Sequence, residues 1–234
     1  MQLVPKGIKP LNLQNTTKAL GDMKFRDKVM RFVQYLGKFA AHSLLETDPK
    51  NDLGNRIKLL SSGIGLHRKA FKVGDFLTQY HKFLDVLENA KDDTKKTLNL
   101  LLNAVMGVFS VFDNLVWLTT LKVLKLDKDS LKMKAYRFRL LACVLQSIIG
   151  VMDIQAAEKK AQKEPIGSDA RVKAEEAYGA KSVGMVKNVL DFVTYSNSSE
   201  LFLNAFGVKL QDNVIGIVGA MSSASALYSI WISK

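Results

Sequence analysis

The sequence predicts an all-α helical membrane protein with an N-terminal amphipathic surface helix, long helices and a C-terminal transmembrane helix, and three observations predict it. Only four prolines occur in 234 residues, at positions 5, 10, 49 and 165, and the stretches between them carry apolar residues at three- and four-residue spacing with little strict alternation. Val214 to Ile232 is a run of 19 residues without a formal charge, bounded by Asp212 and Lys234, which is long enough to cross a bilayer. Arg26 to Leu45 separates apolar from basic side chains at helical spacing.

In chain order, residues 1–23 read as an N-terminal tail and 24–95 as an amphipathic and basic helical region. Residues 96–155 read as central apolar helices, partly membrane-embedded, and 156–185 as a polar charged linker. Residues 186–234 form a C-terminal helical region that contains the transmembrane segment 214–232. Met1 to Pro10 holds two prolines and no apolar run of seven, so no secretory signal is expected there.

The first helix places Val29, Phe32, Val33, Leu36, Phe39 and Ala40 on one face, and Leu44 continues it. Lys24, Lys28, Arg31, Tyr35, Lys38 and His42 recur on another. Two readings fit. In one, the apolar face enters the boundary between head groups and acyl chains. Lys24, Lys28, Arg31 and Lys38 then meet anionic phosphates, each contributing about 1 kcal/mol. In the other, the helix packs on a protein core and shows water a solvated basic face. This segment alone does not separate them.

Thr47, Asp48 and Pro49 close that helix, and a second starts at Asp52 or Asn55 and runs to about Asn89. It carries the basic cluster His67-Arg68-Lys69-Ala70-Phe71-Lys72, which suits lipid phosphates or a solvated face equally. Leu98 to Leu124 is mostly apolar, interrupted by Asp113 and Asn114. A mid-bilayer charge costs about 2.5–3.5 kcal/mol on insertion scales, which an apolar neighbourhood outweighs if the carboxylate faces other helices. Leu140 to Met152 is uncharged but short for a span, and reads as a buried or partly embedded helix.

Asp153 to Lys187 turns alanine- and charge-rich around Pro165-Ile166-Gly167-Ser168, a solvated hinge. In the C-terminal segment Gly216, Ala220 and Ala224 recur every four residues beside Gly219 and Ser223. These small side chains line one face and let another backbone approach closely. Tyr228 and Trp231 sit near one end, where amphipathic rings favour the interface. A buried helix of a soluble bundle is the competing reading.

Lys and Arg number 34 against 22 Asp and Glu, a formal net charge of +12, so an acidic partner is implied. Charge does not choose between nucleic acid and anionic lipid. The uncharged C-terminal segment favours an anionic phospholipid membrane as partner, with no nucleic acid. Cys143 is the single cysteine and rules out an internal disulfide. His42, His67 and His81 are too scattered to argue a metal site. Gly63-Ile64-Gly65 lacks the third glycine of a nucleotide-binding turn. No constellation of acid, base and nucleophile emerges, so the chain is read as no enzyme, with no cofactor and no metal.

Arg26-Asp27-Lys28 followed by Gln34-Tyr35 resembles the opening of the peroxin 11 family of peroxisomal membrane elongation and proliferation factors. Arg68-Lys69-Ala70-Phe71-Lys72-Val73-Gly74 resembles that family's second basic helix, and Phe112-Asp113-Asn114-Leu115-Val116-Trp117-Leu118 its central Asp-and-Trp segment. Val214-Ile215-Gly216-Ile217-Val218-Gly219 followed by Ser222-Ser223 resembles its C-terminal membrane segment. The likeness runs in order over about residues 24 to 232, and related glycosomal integral membrane proteins share it. It implies a peroxisomal or glycosomal membrane protein, both termini cytosolic, whose amphipathic helix deforms the membrane ahead of fission. Self-association and contact with the dynamin-related fission protein and its adaptor are implied as well. On this chain the inserting side would be Val29, Phe32, Val33, Leu36 and Phe39, and the head-group side Lys28, Arg31 and Lys38. The alternative is a channel or pore for small metabolites, resting on Asp113, Asn114 and Gln146 inside apolar segments.

Overall fold

The computed structural model describes residues 13–90 and 92–232. Met1 to Pro10, on which the reading of no secretory signal rests, and Lys234 lie outside the described residues. The described residues are 86% helical, with no strand among them. The helices are α1 (Leu13–Leu20), α2 (Met23–Thr47), α3 (Asp52–Ala70), α4 (Asp75–Asn89), α5 (Asp93–Thr120), α6 (Lys128–Lys163), α7 (Asp169–Ser198), α8 (Leu201–Phe206) and α9 (Asp212–Ile232).

Short polar side chains start five of them by accepting from amides that have no partner within the helix. Asp22 takes the Lys24 and Phe25 amides, Asn51 takes Gly54, and Asp92 takes Lys95. Asp127 and Ser168 do the same for α6 and α7. α2 ends at Thr47, where Asp48 and Pro49 were expected to stop it. The segment expected to run unbroken to Asn89 is instead two helices. Gly74 separates them at φ 84°, a left-handed conformation that glycine adopts without a Cβ penalty.

Two other expectations change. The polar linker at 156–185 is helical except for Glu164 to Ser168, because Ala, Lys and Glu are strong helix formers even where no core recruits them. Leu140 to Met152 is not a short helix but the apolar middle of α6, which has 36 residues. Three helices, α5, α6 and α9, are long and apolar enough to cross a membrane.

The long helices pack in a ring. α5 lies on α6, α6 on α7, α7 on α9, α9 on α2, α2 on α3, and α3 returns to α5, with α4 covering α5 from outside that sequence. α2 and α9 run antiparallel and close. A Cβ on Gly216 would meet the Phe39 backbone nitrogen at 2.7 Å, and one on Gly219 would overlap the Tyr35 ring. At the other end of the pair the Phe25 and Trp231 rings lie 6.3 Å apart. The start of α2 and the end of α9 therefore sit at the same end of the bundle.

Polarity inside the ring is reversed from that of a water-soluble bundle. Asp27, Arg31, Ser110, Asp113, Asp191, Thr194, Ser222 and Ser223 are buried. The apolar core cluster is small, Val105, Ala142 and Leu145 with four neighbours. Val108 and Val111 of α5, Val144, Ile148 and Val151 of α6, and Ile217 and Met221 of α9 face outward. So much outward apolar surface on the three longest apolar helices fits hydrocarbon rather than water.

Close approach of α2 and α9 sets a test. Gly219→Leu should overpack the Tyr35 contact, costing about 1–3 kcal/mol, read as a lowered unfolding midpoint in detergent. Gly63→Ala, where a Cβ meets nothing within 4 Å, should leave the midpoint unchanged or raise it by up to about 1 kcal/mol.

Candidate functional site

The site forms where four helices meet, α2, α6 and α9 each contributing one polar side chain and α7 two. Asp191 lies in Val189-Leu190-Asp191-Phe192-Val193, a lone charge in an apolar run, and Arg139 lies between Phe138 and Leu140, at the start of the apolar part of its helix. Helical packing turns both inward, since exposing them to hydrocarbon would cost several kcal/mol, roughly. Asp191 is fully buried. Its Oδ1 accepts from Arg31 Nη2 and from Ser222 Oγ, each at 2.5 Å. Its Oδ2 accepts from Lys187 Nζ at 3.2 Å and Arg139 Nη2 at 3.5 Å. One carboxylate thus ties α2, α6, α7 and α9 together. The Arg139 guanidinium also stacks over Tyr195 at 5.3 Å, and that of Arg31 over Tyr35 at 5.4 Å, contacts that ease the burial of a cation.

Ser222 stands midway along α9. If α9 crosses a bilayer, this charge cluster lies at mid-depth.

A second layer lies toward the start of α2. Asp27 accepts from Arg68 Nε at 2.9 Å and from Lys28 Nζ at 3.2 Å, while Arg68 Nη1 donates to Gln34 Oε1 at 2.7 Å. Burial raises the Asp27 pKa, yet Lys72, Arg68 and Lys28 more than offset it and hold the group low. Lys28 is pushed down to about 7, first by burial and then by Arg31. Asp113 of α5 is buried and paired with Lys69 of α3, so its carboxylate does face another helix. Beside this layer lies a cavity of about 430 Å³ reaching Arg31 and Arg139, and a second of about 450 Å³ lined by Gln146, Asp153 and Lys187. Lys28 and Ile230 line both.

The expected amphipathic segment is helical, and two of its basic side chains point into the bundle, Arg31 buried on Asp191 and Lys28 on Asp27. Lys38 makes a solvent-accessible pair with Asp212 at 2.9 Å. Head-group contact by Arg31 is incompatible with this placement, because the buried carboxylate of Asp191 holds it. Lys24 alone of the four basic residues is exposed without an ion pair. Val33 and Leu36 are 44% and 42% exposed. Val29, Phe32 and Ala40 are half-buried, and Phe39 rests on Gly216. On α9, Gly216, Gly219, Ala220 and Ser223 are buried against neighbours, whereas Ala224 faces outward, its four-residue spacing having drifted off the contact face. Among the described residues no cluster of side chains is placed to hold a metal ion.

Asp191, Arg139, Lys187 and Tyr195 were not singled out in the sequence. For Asp191 the signal was a lone charge inside an apolar run, the same signal that marked Asp113.

The family model described as Peroxisomal biogenesis factor 11 (PEX11) matches residues 13–231. The peroxisomal membrane protein PMP30B of Candida boidinii is 24% identical over 241 residues, covering 92% of each chain. No solved structure matches the chain.

Removing the central carboxylate should be costly. Asp191→Asn leaves Arg31 and Arg139 buried without a counter-charge, for a loss of about 3–5 kcal/mol, measurable as a fall in the unfolding midpoint in detergent.

Proposed function

The chain belongs to the peroxisomal biogenesis factor 11 family, and from that premise we propose that it elongates the peroxisomal membrane ahead of organelle division by setting the apolar stripe of α2 into the bilayer. Its place is the peroxisomal membrane and its role lies in peroxisome proliferation. The family is one of biogenesis factors rather than enzymes, and the chain acts on the membrane without catalysis.

The observation that supports this mechanism is the exposure of Val33 and Leu36, flanked on the same side of the helix by half-buried Val29 and Ala40. The four fall at i, i+4, i+7 and i+11, away from the side on which Arg31 is held by Asp191. The inserting unit is then α2 docked along α9 rather than a free peptide lying flat. Because α2 runs antiparallel along α9, its outward residues meet the lipid beside a helix able to cross. Many copies side by side favour curvature, self-association supplies the copies, and dynamin-related fission machinery acts on the elongated membrane. Both termini face the cytosol in this reading, supported by the Phe25–Trp231 contact that brings the start of α2 and the end of α9 to one end of the bundle.

Full-length protein reconstituted in anionic vesicles should tubulate them, and Val33→Asp with Leu36→Asp should abolish tubulation with helical content unchanged, since neither residue is buried. Tubulation undiminished in that double variant would sink the mechanism.

A second reading, a route for small solutes, is favoured by one observation. Two cavities that share Lys28 and Ile230 sit inside a ring of helices whose interior carries the charge. Intramembrane charge around a cavity commonly marks a solute route. Conductance of the purified chain in planar bilayers, altered by Asp113→Asn, is the expected result, and a silent bilayer ends this reading.

A further inference from the structure

The cavity of about 430 Å³ carries more positive charge than the fold neutralises. Seven basic and three acidic side chains line it. Asp27 is taken by Arg68 and Lys28, and Asp113 by Lys69. Arg31 and Arg139 are answered from behind by Asp191. That leaves Lys24, Lys72 and Lys82, whose side chains make no hydrogen bond or ion pair with another described residue, against the single remaining carboxylate of Asp75. Lys24 and Lys82 are exposed and mark the mouth, while Lys72 is half-buried within. Lys72 shares Asp27 and Asp113 with other cations and bonds directly to neither. Burial first, and then Arg68, push the Lys72 group down to about 8.

We infer that this cavity binds a phosphate-bearing ligand. Three lysines arriving from α2, from the turn after α3 and from α4 are separate point charges on flexible stems. They suit a multivalent tetrahedral anion, with oxygens in several directions, better than a carboxylate with one planar edge. The volume lies within the range of about 300–1,000 Å³ typical of ligand pockets. Phe109 and Met106 add an apolar wall, so the phosphate is expected to carry an organic group. A lipid head group and a free phosphate ester both have this chemistry. The inference shares with the solute-route reading only the need for an open cavity.

The test uses the full chain in phosphatidylcholine nanodiscs, titrated with inorganic pyrophosphate by calorimetry. Lys72→Gln with Lys82→Gln should weaken binding at least tenfold, and Lys58→Gln, at an exposed lysine of α3 that does not line this cavity, should leave it unchanged. If phosphatidylinositol 4-phosphate in the disc competes with pyrophosphate, or is itself retained by wild type and not by the double variant, the occupant is a lipid head group. Binding unaffected by that lipid assigns a free phosphate compound. No binding of either probe, or equal weakening by Lys58→Gln, would overturn the inference. Intact binding in a protein whose bilayers are silent sustains it and removes only the solute route.

Discussion

The architecture depends on one buried carboxylate. Asp191 is the negative group at which α2, α6, α7 and α9 meet, through Arg31, Arg139, Lys187 and Ser222. These cations have no other way to be buried. A guanidinium facing hydrocarbon costs more than one facing a carboxylate, so each helix is rotated until its charge reaches the centre. Once Arg31 is drawn inward, the orientation of α2 follows, and its apolar side has only the outside left to face.

That rotation explains the close contact of α2 with α9. Gly216 and Gly219 leave space for Phe39 and Tyr35, and without that approach the Arg31 side chain would not reach Asp191. Small residues on one helix and an ion pair on the other are two parts of one contact. The outward apolar surface of α5, α6 and α9 is the counterpart. A bundle that spends its interior on charge must meet an apolar solvent, and a membrane supplies it.

Much of the fold was legible in the chain. Proline scarcity and helical spacing gave the all-α class, Asp52 gave the start of α3, and the uncharged run gave α9. The break at Gly74 escaped because a single glycine inside a helical pattern is tolerated as often as it terminates one. The hinge around Pro165 to Ser168 is a break of five residues, Glu164 to Ser168, and the helix continues on both sides of it because Ala, Lys and Glu propagate a helix unaided. At the candidate site, Asp113 was legible as a charge inside an apolar segment. Asp191 carried the same mark, but nothing local says that it meets Arg139, 52 residues away.

The sequence alone determined that α2 has two faces and that the chain contains apolar helices able to cross a bilayer, since both follow from side-chain periodicity and length. It did not determine which face of α2 meets the lipid. A basic stripe beside an apolar one is equally the pattern of a helix lying on head groups and of a helix whose cations are held inside by a partner. Only the tertiary structure decided between them, by placing Asp191, 160 residues away in sequence, within hydrogen-bonding distance of Arg31.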